Sequence, residues 1–204
     1  MSNNILTARI AIQGTRPFLW HAFTPDAIPI GKTERSGVAG NDPSEWARTV
    51  LAREDGQLYI RNTYIFGCLR DGAKHTPLGR GSLQAKLVST LQVAERIIPL
   101  VGLTLPSALP TDENAPVFLD VQSVRNPATR ARNVRYRIGA GAGWQMEFHI
   151  TWDKTVVSRD QMQAVAYDAG RLAGIGDGRA IGYGRFAVTA WAITDTDEHP
   201  TGRG

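Results

Sequence analysis

Residues 144–152 read WQMEFHITW, and their pattern decides the fold of the C-terminal half. Large apolar side chains stand at every second position of this stretch: Trp144, Met146, Phe148, Ile150 and Trp152. Because successive side chains of a strand point to opposite faces of a sheet, this period predicts a strand with one buried face.

A helix and a last strand are predicted after this stretch. Ser158 and Gln161 have the spacing of a capping box, which is typical of a helix start. The expected apolar stripe of the helix comprises Met162, Val165, Ala169 and Leu172. We expect the helix to end by Gly174, and residues 185–193 to form the last strand after a glycine-rich loop.

The N-terminal half supplies the other elements of the same sheet. Residues 5–13 alternate as a strand, and residues 92–100 are a further predicted strand. Between them, Asn62 can cap a helix over residues 62–74. The expected apolar stripe of that helix comprises Ile65, Leu69 and Ala73. The order β-α-β-β-α-β predicts an α+β, ferredoxin-like fold, which many RNA-recognition modules share.

Two insertions extend this scaffold. We expect one RRM-like domain over residues 1–193, with insertions at residues 14–57 and 117–139. A polar, flexible tail is predicted for residues 194–204.

Each insertion has a predicted element of its own. In the first, Asp42 is expected to cap a short helix over residues 43–52, with Glu45 as its capping-box partner. In the second, residues 117–124 and 133–139 are expected to pair as a long hairpin.

The composition limits the classes of function. The 204 residues are 42% hydrophobic, which is enough for a core, and the lone Cys68 excludes a disulfide framework and a cysteine-based zinc site. No apolar run approaches the roughly 18–20 residues of a membrane span, and the N-terminus has no signal-peptide layout. We therefore expect a cytoplasmic protein with no membrane partner. The basic residues are 19 Arg and 4 Lys, and this bias favours a nucleic-acid ligand.

The stretch GIGDGRAIGYGR, residues 174–185, is a candidate phosphate-binding loop. Its alternating glycines would let main-chain N–H groups converge on an anion. Arg179 and Arg185 would supply charge, and Tyr183 a face for stacking. It follows a helix and precedes a strand, the reverse of a dinucleotide fingerprint, and it lacks the Gly-Lys-Ser/Thr of a Walker loop. The alternative is a connection with no ligand.

The second insertion is rich in arginine. Residues 121–146 contain no acid and five arginines: Arg125, Arg130, Arg132, Arg135 and Arg137. Arg135 and Arg137 share one face of a predicted strand, and the others lie at or near the hairpin tip. Such a hairpin could contact a polyanion backbone. The alternative is a solvated charged face.

Candidates for catalysis and for metal binding are few. None of the histidines, including His75, has metal-ligand spacing from another. His21 could act as a general base for attack by a ribose 2′-OH, and Asp26 is a lone loop acid that could serve cleavage. For both, a core or surface role is the favoured alternative. We predict no metal, no cofactor and no enzymatic activity.

Three segments resemble the RAMP superfamily, the repeat-associated mysterious proteins of CRISPR systems. Residues 58–70, LYIRNTYIFGCLR, are similar to the strand, turn and helix of that superfamily, which end in G-x-L-R. Residues 174–186 look like its glycine-rich loop before the final strand. Residues 14–19, GTRPFL, are similar to its first strand and turn.

Within the superfamily, the chain looks most like the backbone subunit that polymerises along guide RNA, or a short phage-encoded relative. The resemblance implies a thumb formed by the hairpin, self-association into a helical filament, and partnership with single-stranded guide RNA, target DNA or RNA and other CRISPR effector subunits. Together with the motifs above, it implies these contacts to nucleic acid: Arg70, Lys74, Arg125, Arg130, Arg132, Arg135, Arg137, Gly176, Gly178, Arg179, Gly182, Tyr183, Gly184 and Arg185.

The sequence therefore predicts a non-catalytic protein that binds single-stranded nucleic acid through phosphates, with strong salt dependence and little sequence preference. Two alternatives stay open. A RAMP endoribonuclease would process CRISPR RNA without a metal ion, using His21 or His75 with a nearby Tyr or Lys. A phage coating or recombination protein would differ in its preference between RNA and single-stranded DNA.

Overall fold

A computed structural model of the chain describes residues 4–22, 42–125, 130 and 132–194. The strands are β1 (Ile5–Gly14), β2 (Phe18–Leu19), β3 (Gln57–Arg61), β4 (Pro77–Leu78), β5 (Gly81–Ser82), β6 (Gln92–Val93), β7 (Ile97–Thr104), β8 (Val117–Arg125), β9 (Arg132–Ala140), β10 (Gln145–Asp153) and β11 (Phe186–Thr194). The helices are α1 (Glu45–Thr49), α2 (Asn62–Gly72), α3 (Gln84–Thr90) and α4 (Arg159–Asp168). A π-helical turn, Ala169–Ala173, continues α4, and a 3-10 turn, Arg179–Ile181, precedes β11.

Four strands form the main sheet in the order β11-β1-β10-β6, and every neighbouring pair is antiparallel. Strand β1 is central, because Ile10 lies opposite Phe148 of β10 on one side and opposite Trp191 of β11 on the other. Ile10 and Phe148 are buried, as the alternation predicts. The strand predicted at residues 144–152 is confirmed as β10, displaced by one residue.

Helices α2 and α4 pack against each other and share the hydrophobic core of the sheet. Helix α4 begins at the predicted capping box. The Gln161 N–H donates to Ser158 Oγ at 3.2 Å, and the Ser158 N–H donates to Gln161 Oε1 at 3.0 Å. The predicted stripe of α2 is buried in full: Ile65, Leu69 and Ala73.

The predicted stripe of the α4 segment is wrong at one position. Met162, Val165 and Ala169 are buried, but Leu172 is exposed. The π-helical turn is the physical reason, since it takes more residues per turn than an α-helix and so rotates the residues that follow. It brings Arg171 and Leu172 to the surface beside the glycine-rich loop.

The single strand predicted over residues 92–100 is two strands. Strand β6 pairs with β10, whereas β7 leaves the main sheet and pairs with β3. Glu95 lies at the break, where its two carboxylate oxygens accept from the main-chain N–H of His149 at 3.1 and 2.9 Å. This side chain satisfies the N–H that a continued strand would otherwise pair with, and the chain turns away.

The hairpin of the second insertion is confirmed. Strands β8 and β9 stay in register from Val117 opposite Ala140 to Arg125 opposite Arg132. The other edge of β9 pairs with β2. Residues 126–129 and 131 at the hairpin tip lie outside the described residues, and so does the tail from residue 195 onward.

The short helix of the first insertion differs from the prediction. Helix α1 starts at Glu45, with Ser44 and not Asp42 at the N-cap position. Asp42 Oδ1 accepts from the main-chain N–H and the hydroxyl of Ser44, at 2.9 and 2.7 Å. Glu45 is buried and bonds elsewhere, so the predicted capping box is absent here. Residues 23–41 lie outside the described residues.

Antiparallel sheets and separate helices place the chain in the α+β class, as predicted. Buried residues from the main sheet, from α2 and α4 and from the base of the hairpin form one hydrophobic cluster. Among the residues described, no helix combines the length and the apolar character that crossing a membrane requires.

The two glycines of α2 make a matched pair for a test of this packing. A Cβ on Gly72 would lie 2.6 Å from the main chain of Ala169, where α2 crosses the π-helical turn, whereas one on Gly67 would meet nothing within 4 Å. We expect Gly72→Ala to lower the free energy of unfolding by about 1–3 kcal/mol through overpacking. Gly67→Ala should raise it by up to about 1 kcal/mol through helix propensity. Chemical denaturation measures both, and equal effects would contradict the crossing.

Candidate nucleic-acid interface

The glycine loop, which we define as residues 174–184, connects the π-helical turn to β11 and packs tightly on itself and on β2. Gly184 has a φ of +70°, and a Cβ there would lie 2.8 Å from main-chain atoms of Ile175. Gly176 has a φ of +82°, and a Cβ there would lie 2.5 Å from the carbonyl oxygen of Leu19. Only glycine combines this conformation with such close contact.

Several main-chain N–H groups of the glycine loop bond within the protein. Ile175 donates to the carbonyl of Gly184 at 2.9 Å, Asp177 to that of Leu19 at 2.9 Å, and Gly184 to that of Pro17 at 2.7 Å. These donors cannot serve an anion without opening the loop. The prediction of main-chain anion binding is therefore corrected at Gly184, whose glycine character serves close packing instead.

The other predicted glycines lie around the exposed 3-10 turn. Gly176, Gly178 and Gly182 are partly exposed. The N–H of Gly182 closes the turn by donating to the carbonyl of Arg179 at 3.1 Å. Contact of a nucleic-acid backbone with these three glycines stays a prediction.

Asp71 of α2 gathers three cations beside the glycine loop. Its carboxylate lies 3.2 Å from Arg70, 2.9 Å from Lys74 and 2.9 Å from Arg179. Burial alone would raise the pKa of Asp71, but the hydrogen bonds from Lys74 and Arg179 outweigh it and lower the pKa. Three positive charges thus share one carboxylate, which leaves an excess of positive charge here.

A cleft of about 530 Å³ lies next to this cluster, and we call it the loop cleft. Its charged and titratable lining residues are Asp71, Lys74, His75, Asp177, Arg179 and Arg185. Nη1 of Arg185 is buried and has no hydrogen-bond partner in the part of the chain that the structure describes. An unmade hydrogen bond of a buried donor costs about 1–3 kcal/mol, and an anionic ligand would supply it.

Arg137 belongs to the interior. It is 4% exposed, and its guanidinium lies 2.7 Å from Asp120 of β8 and 2.8 Å from Asp177 of the glycine loop. Burial alone would raise the pKa of Asp177, but hydrogen bonds from Arg137 and from the N–H of Gly178 outweigh it and lower the pKa. The predicted contact of Arg137 with nucleic acid is thus corrected, because its charge and donors are used within the protein.

Arg135 is also engaged inside the protein. It pairs with Glu45 of α1, which is 0% exposed. The second carboxylate oxygen of Glu45 accepts from the main-chain N–H of Tyr136 at 3.2 Å. This carboxylate fastens α1 to the base of the hairpin and balances the charge of Arg135, whose side chain is 22% exposed. Contact of Arg135 with nucleic acid stays a prediction.

The outer part of the hairpin carries the remaining three arginines: Arg125, Arg130 and Arg132. All three are exposed, and Arg125 lies directly opposite Arg132. No carboxylate of the described residues forms an ion pair with any of them. Val121 and Val124 on β8 are exposed as well, by 45% and 40%. We call these five residues the outer hairpin.

Tyr183 is held at both ends. Its hydroxyl donates to Glu113 at 2.9 Å and accepts from Gln122 of β8 at 2.8 Å. Its ring packs on Gly178, where a Cβ would lie 2.9 Å from a ring carbon. Burial and the hydrogen bond to Glu113 raise the pKa of Tyr183. Part of the ring is thus covered, and stacking of a base on the rest stays a prediction.

His21 lies near the glycine loop. Burial lowers the pKa of His21, Asp177 opposes this effect, and Arg135 adds to it. Burial also raises the pKa of Tyr64 to about 12, with a smaller contribution from the charge of Asp177. Asp26 lies outside the described residues. The described part of the chain contains no group of three or more His, Cys, Asp or Glu side chains that could hold a metal ion.

Besides Asp177 of the glycine loop, three carboxylates that organise the site are not among the predicted site residues: Asp71, Glu45 and Asp120. Asp71 directly follows Arg70, and Asp120 lies opposite Arg137 in the register of the hairpin. Both ion pairs could therefore have been predicted from neighbouring positions in the sequence or in the hairpin. The ion pair of Glu45 could not, because its partner Arg135 is 90 residues away.

The lowered pKa of His21 makes stability depend on pH. The unfolded chain, with a histidine pKa near 6.5, binds the proton more readily, so the contribution of His21 is complete above that value and is lost as the pH falls through the folded pKa. We expect His21→Gln to lose less Tm than the parent between about pH 7.5 and 5.5. Identical profiles of Tm against pH for the parent and for His21→Gln would contradict the burial of His21.

No protein-family model matches the chain, and no curated protein matches it. Among solved structures it is similar to a chain in the cryo-EM structure of the Type III-B Cmr-beta bound to cognate target RNA, with 12% sequence identity and a TM-score of 0.47. The match covers 94% of this chain and 61% of that one, so this chain spans less than two thirds of the length of its neighbour.

Proposed function

We propose that this protein binds single-stranded nucleic acid without catalysis, as an RNA-binding backbone subunit of a CRISPR-type ribonucleoprotein that holds guide RNA. The CRISPR role and the guide RNA follow from the resemblance to the RAMP superfamily, and one observation carries the binding of single-stranded nucleic acid. In the outer hairpin, Arg125 faces Arg132 with Arg130 nearby, and no carboxylate of the described residues pairs with them.

This arrangement has a cost for the isolated protein. Like charges directly opposite in an antiparallel pair destabilise it. In the same hairpin, Arg135 and Arg137 each have a carboxylate partner, so acids are supplied where arginines serve the fold. The outer arginines have no such partner among the described residues, and the repeating phosphates of a polynucleotide would provide the missing negative charge.

A second basic surface supports the same ligand. The Asp71 cluster holds Arg70, Lys74 and Arg179 at the edge of the loop cleft, which Arg185 also lines. The glycine loop behind this surface is fastened to the hairpin through Arg137 and through Tyr183. One folded unit therefore carries both surfaces, and several phosphates of one strand can be held together.

We further propose a ferredoxin-like, RRM-like core for the main sheet. The sheet order β11-β1-β10-β6, with α2 between β1 and β6 and α4 between β10 and β11, supports the βαββαβ reading. In that reading the hairpin is a thumb. Head-to-tail contact between copies would give a filament along the RNA, because one repeated, non-closing interface produces an open helix.

Side chains supply most of the binding in this proposal. Arginine forks hold phosphate oxygens through charge-assisted hydrogen bonds and read no base edges. Affinity should therefore follow the salt concentration much more than the sequence of the strand.

Removal of the outer arginines tests the proposal. We expect Arg125→Ala/Arg132→Ala to weaken binding to an unstructured RNA and to reduce the slope of log K against log salt by about 1.4, since each single-strand phosphate contact contributes about 0.7. Filter binding across salt concentrations measures the slope. Because both side chains are exposed, Tm should not fall.

The matched control keeps the charge. Arg125→Lys/Arg132→Lys should retain the parent slope, because lysine also neutralises phosphate. A flat salt response of the parent, or an unchanged slope in the alanine variant, would contradict the proposal. Competition between RNA and single-stranded DNA of equal length separates guide-RNA binding from a coating role on phage DNA.

A second candidate is a metal-independent endoribonuclease, because the chain just before His21 bridges to the glycine loop at Leu19 and Asp177, and the charge of Asp177 acts on the pKa of His21. We expect a labelled repeat RNA to stay intact with the protein in EDTA, because His21 is largely enclosed and faces charged groups that serve the fold. Gel electrophoresis of the RNA measures this outcome. Cleavage that His21→Gln abolishes would establish the nuclease instead.

A further inference from the structure

A second cleft, of about 640 Å³, lies on the β11 side of the π-helical turn, and we call it the π-turn cleft. Its volume is within the range of about 300–1,000 Å³ that is usual for small-ligand sites. The lining residues that matter here are Arg16, Arg171, Arg185, Tyr167, Phe186 and Val188. Arg185 lines the loop cleft as well, so the two clefts are neighbours.

The two clefts differ in charge. Asp71 and Asp177 line the loop cleft, whereas none of the described acids lines the π-turn cleft. Arg16, Arg171 and Arg185 form no ion pair with a carboxylate in the described ranges of the chain. Three arginines without counter-charge around one concave surface attract an anion.

The main chain at two of these arginines is fixed. The N–H groups of Thr15 and Arg16 both donate to the carbonyl of Arg185, at 2.8 and 3.2 Å. The indole N–H of Trp144 donates to the carbonyl of Arg16 at 2.9 Å. At these two positions the main chain is already ordered and only the side chain has to order when a ligand binds, which limits the entropy that binding loses.

Tyr167 adds an aromatic surface to the charge. It lies in the last turn of α4 and is 43% exposed. Proteins that hold single strands without reading sequence combine arginines for the backbone with exposed rings on which bases stack. The π-turn cleft brings these two features together.

The π-helical turn itself separates the two clefts. Gly170 and Arg171 line the π-turn cleft, whereas Leu172 and Ala173 line the loop cleft. Such turns are rare and are found frequently at functional sites. A strand that passes Arg185 can therefore continue from one cleft into the other.

We propose that the π-turn cleft binds one nucleotide of a single-stranded polynucleotide, with its base against Tyr167 and its phosphate between Arg16 and Arg171. This inference rests on the proposed function and adds a subsite to it.

The test compares two labelled strands by fluorescence anisotropy with the full chain: an unstructured oligoribonucleotide and the same backbone without bases. Tyr167→Ala should weaken binding of the intact strand by about five-fold or more, because it removes a stacking partner, and should leave the abasic strand unaffected. Tyr167→Phe keeps the ring and should bind like the parent. Arg171→Ala should weaken both strands and reduce the salt slope by about 0.7.

The outcomes separate the subsite from the proposed function. If the parent binds neither strand, the proposed function fails. If the parent binds both strands but Tyr167→Ala and Arg171→Ala bind like the parent, the subsite alone is overturned. Equal weakening of both strands by Tyr167→Ala would make Tyr167 structural and would also overturn the stacking contact. Competition by adenosine monophosphate that exceeds competition by inorganic phosphate supports a nucleotide site, and equal competition overturns it.

Discussion

Arg137 joins the hairpin to the glycine loop, and the position of the outer hairpin relative to that loop depends on this joint. Its guanidinium lies between Asp120 of β8 and Asp177 of the loop, almost closed to water. Removal of one partner from a buried ion pair costs about 3–5 kcal/mol because a charge is stranded, and the partial exposure of Asp177 reduces that figure here. Such a pair adds little net stability compared with apolar packing, but its geometry is fixed. It therefore sets the direction in which the outer hairpin leaves the body of the protein.

The placement of acids decides which arginines can bind a ligand. The formal net charge of +4 understates the positive charge of the basic surfaces, because the acidic side chains lie mostly elsewhere in the structure. Glu45 and Asp120 meet the arginines at the base of the hairpin, and Asp71 is shared by three cations. The outer hairpin and the π-turn cleft have no acid of their own among the described residues. Positive charge is thus left uncompensated at the surfaces that face solvent, where a polyanion can reach it.

Local patterns predicted much of the fold, because burial of one face of an element is a local property. Alternation found β1 and β10, the capping box found the start of α4, and turn spacing found the hairpin. The errors have distant causes. The break between β6 and β7 depends on Glu95 reaching His149, 54 residues away. The alternation of a strand likewise predicts that Arg135 and Arg137 lie on one face. It does not predict that carboxylates from other elements pair with them there. For the same reason the sequence predicted where arginines concentrate and not which of them are available.

The glycine loop shows how structure and binding are divided between main chain and side chains. Gly176 and Gly184 pack where no Cβ would fit. The main-chain N–H groups of Ile175, Asp177 and Gly184 donate hydrogen bonds within the protein. Arginine side chains, which are long and flexible, are therefore left to bind the ligand, and the main chain of the glycine loop and of the hairpin holds them in place. Such side chains adapt to any sequence but cannot choose among sequences. The main chain can specify the distance between the two basic surfaces, because Arg137 and the contact of Tyr183 with β8 join the glycine loop to the hairpin. We therefore expect this protein to distinguish flexible single strands, which can follow both basic surfaces, from stiffer nucleic acids, and to distinguish little between base sequences.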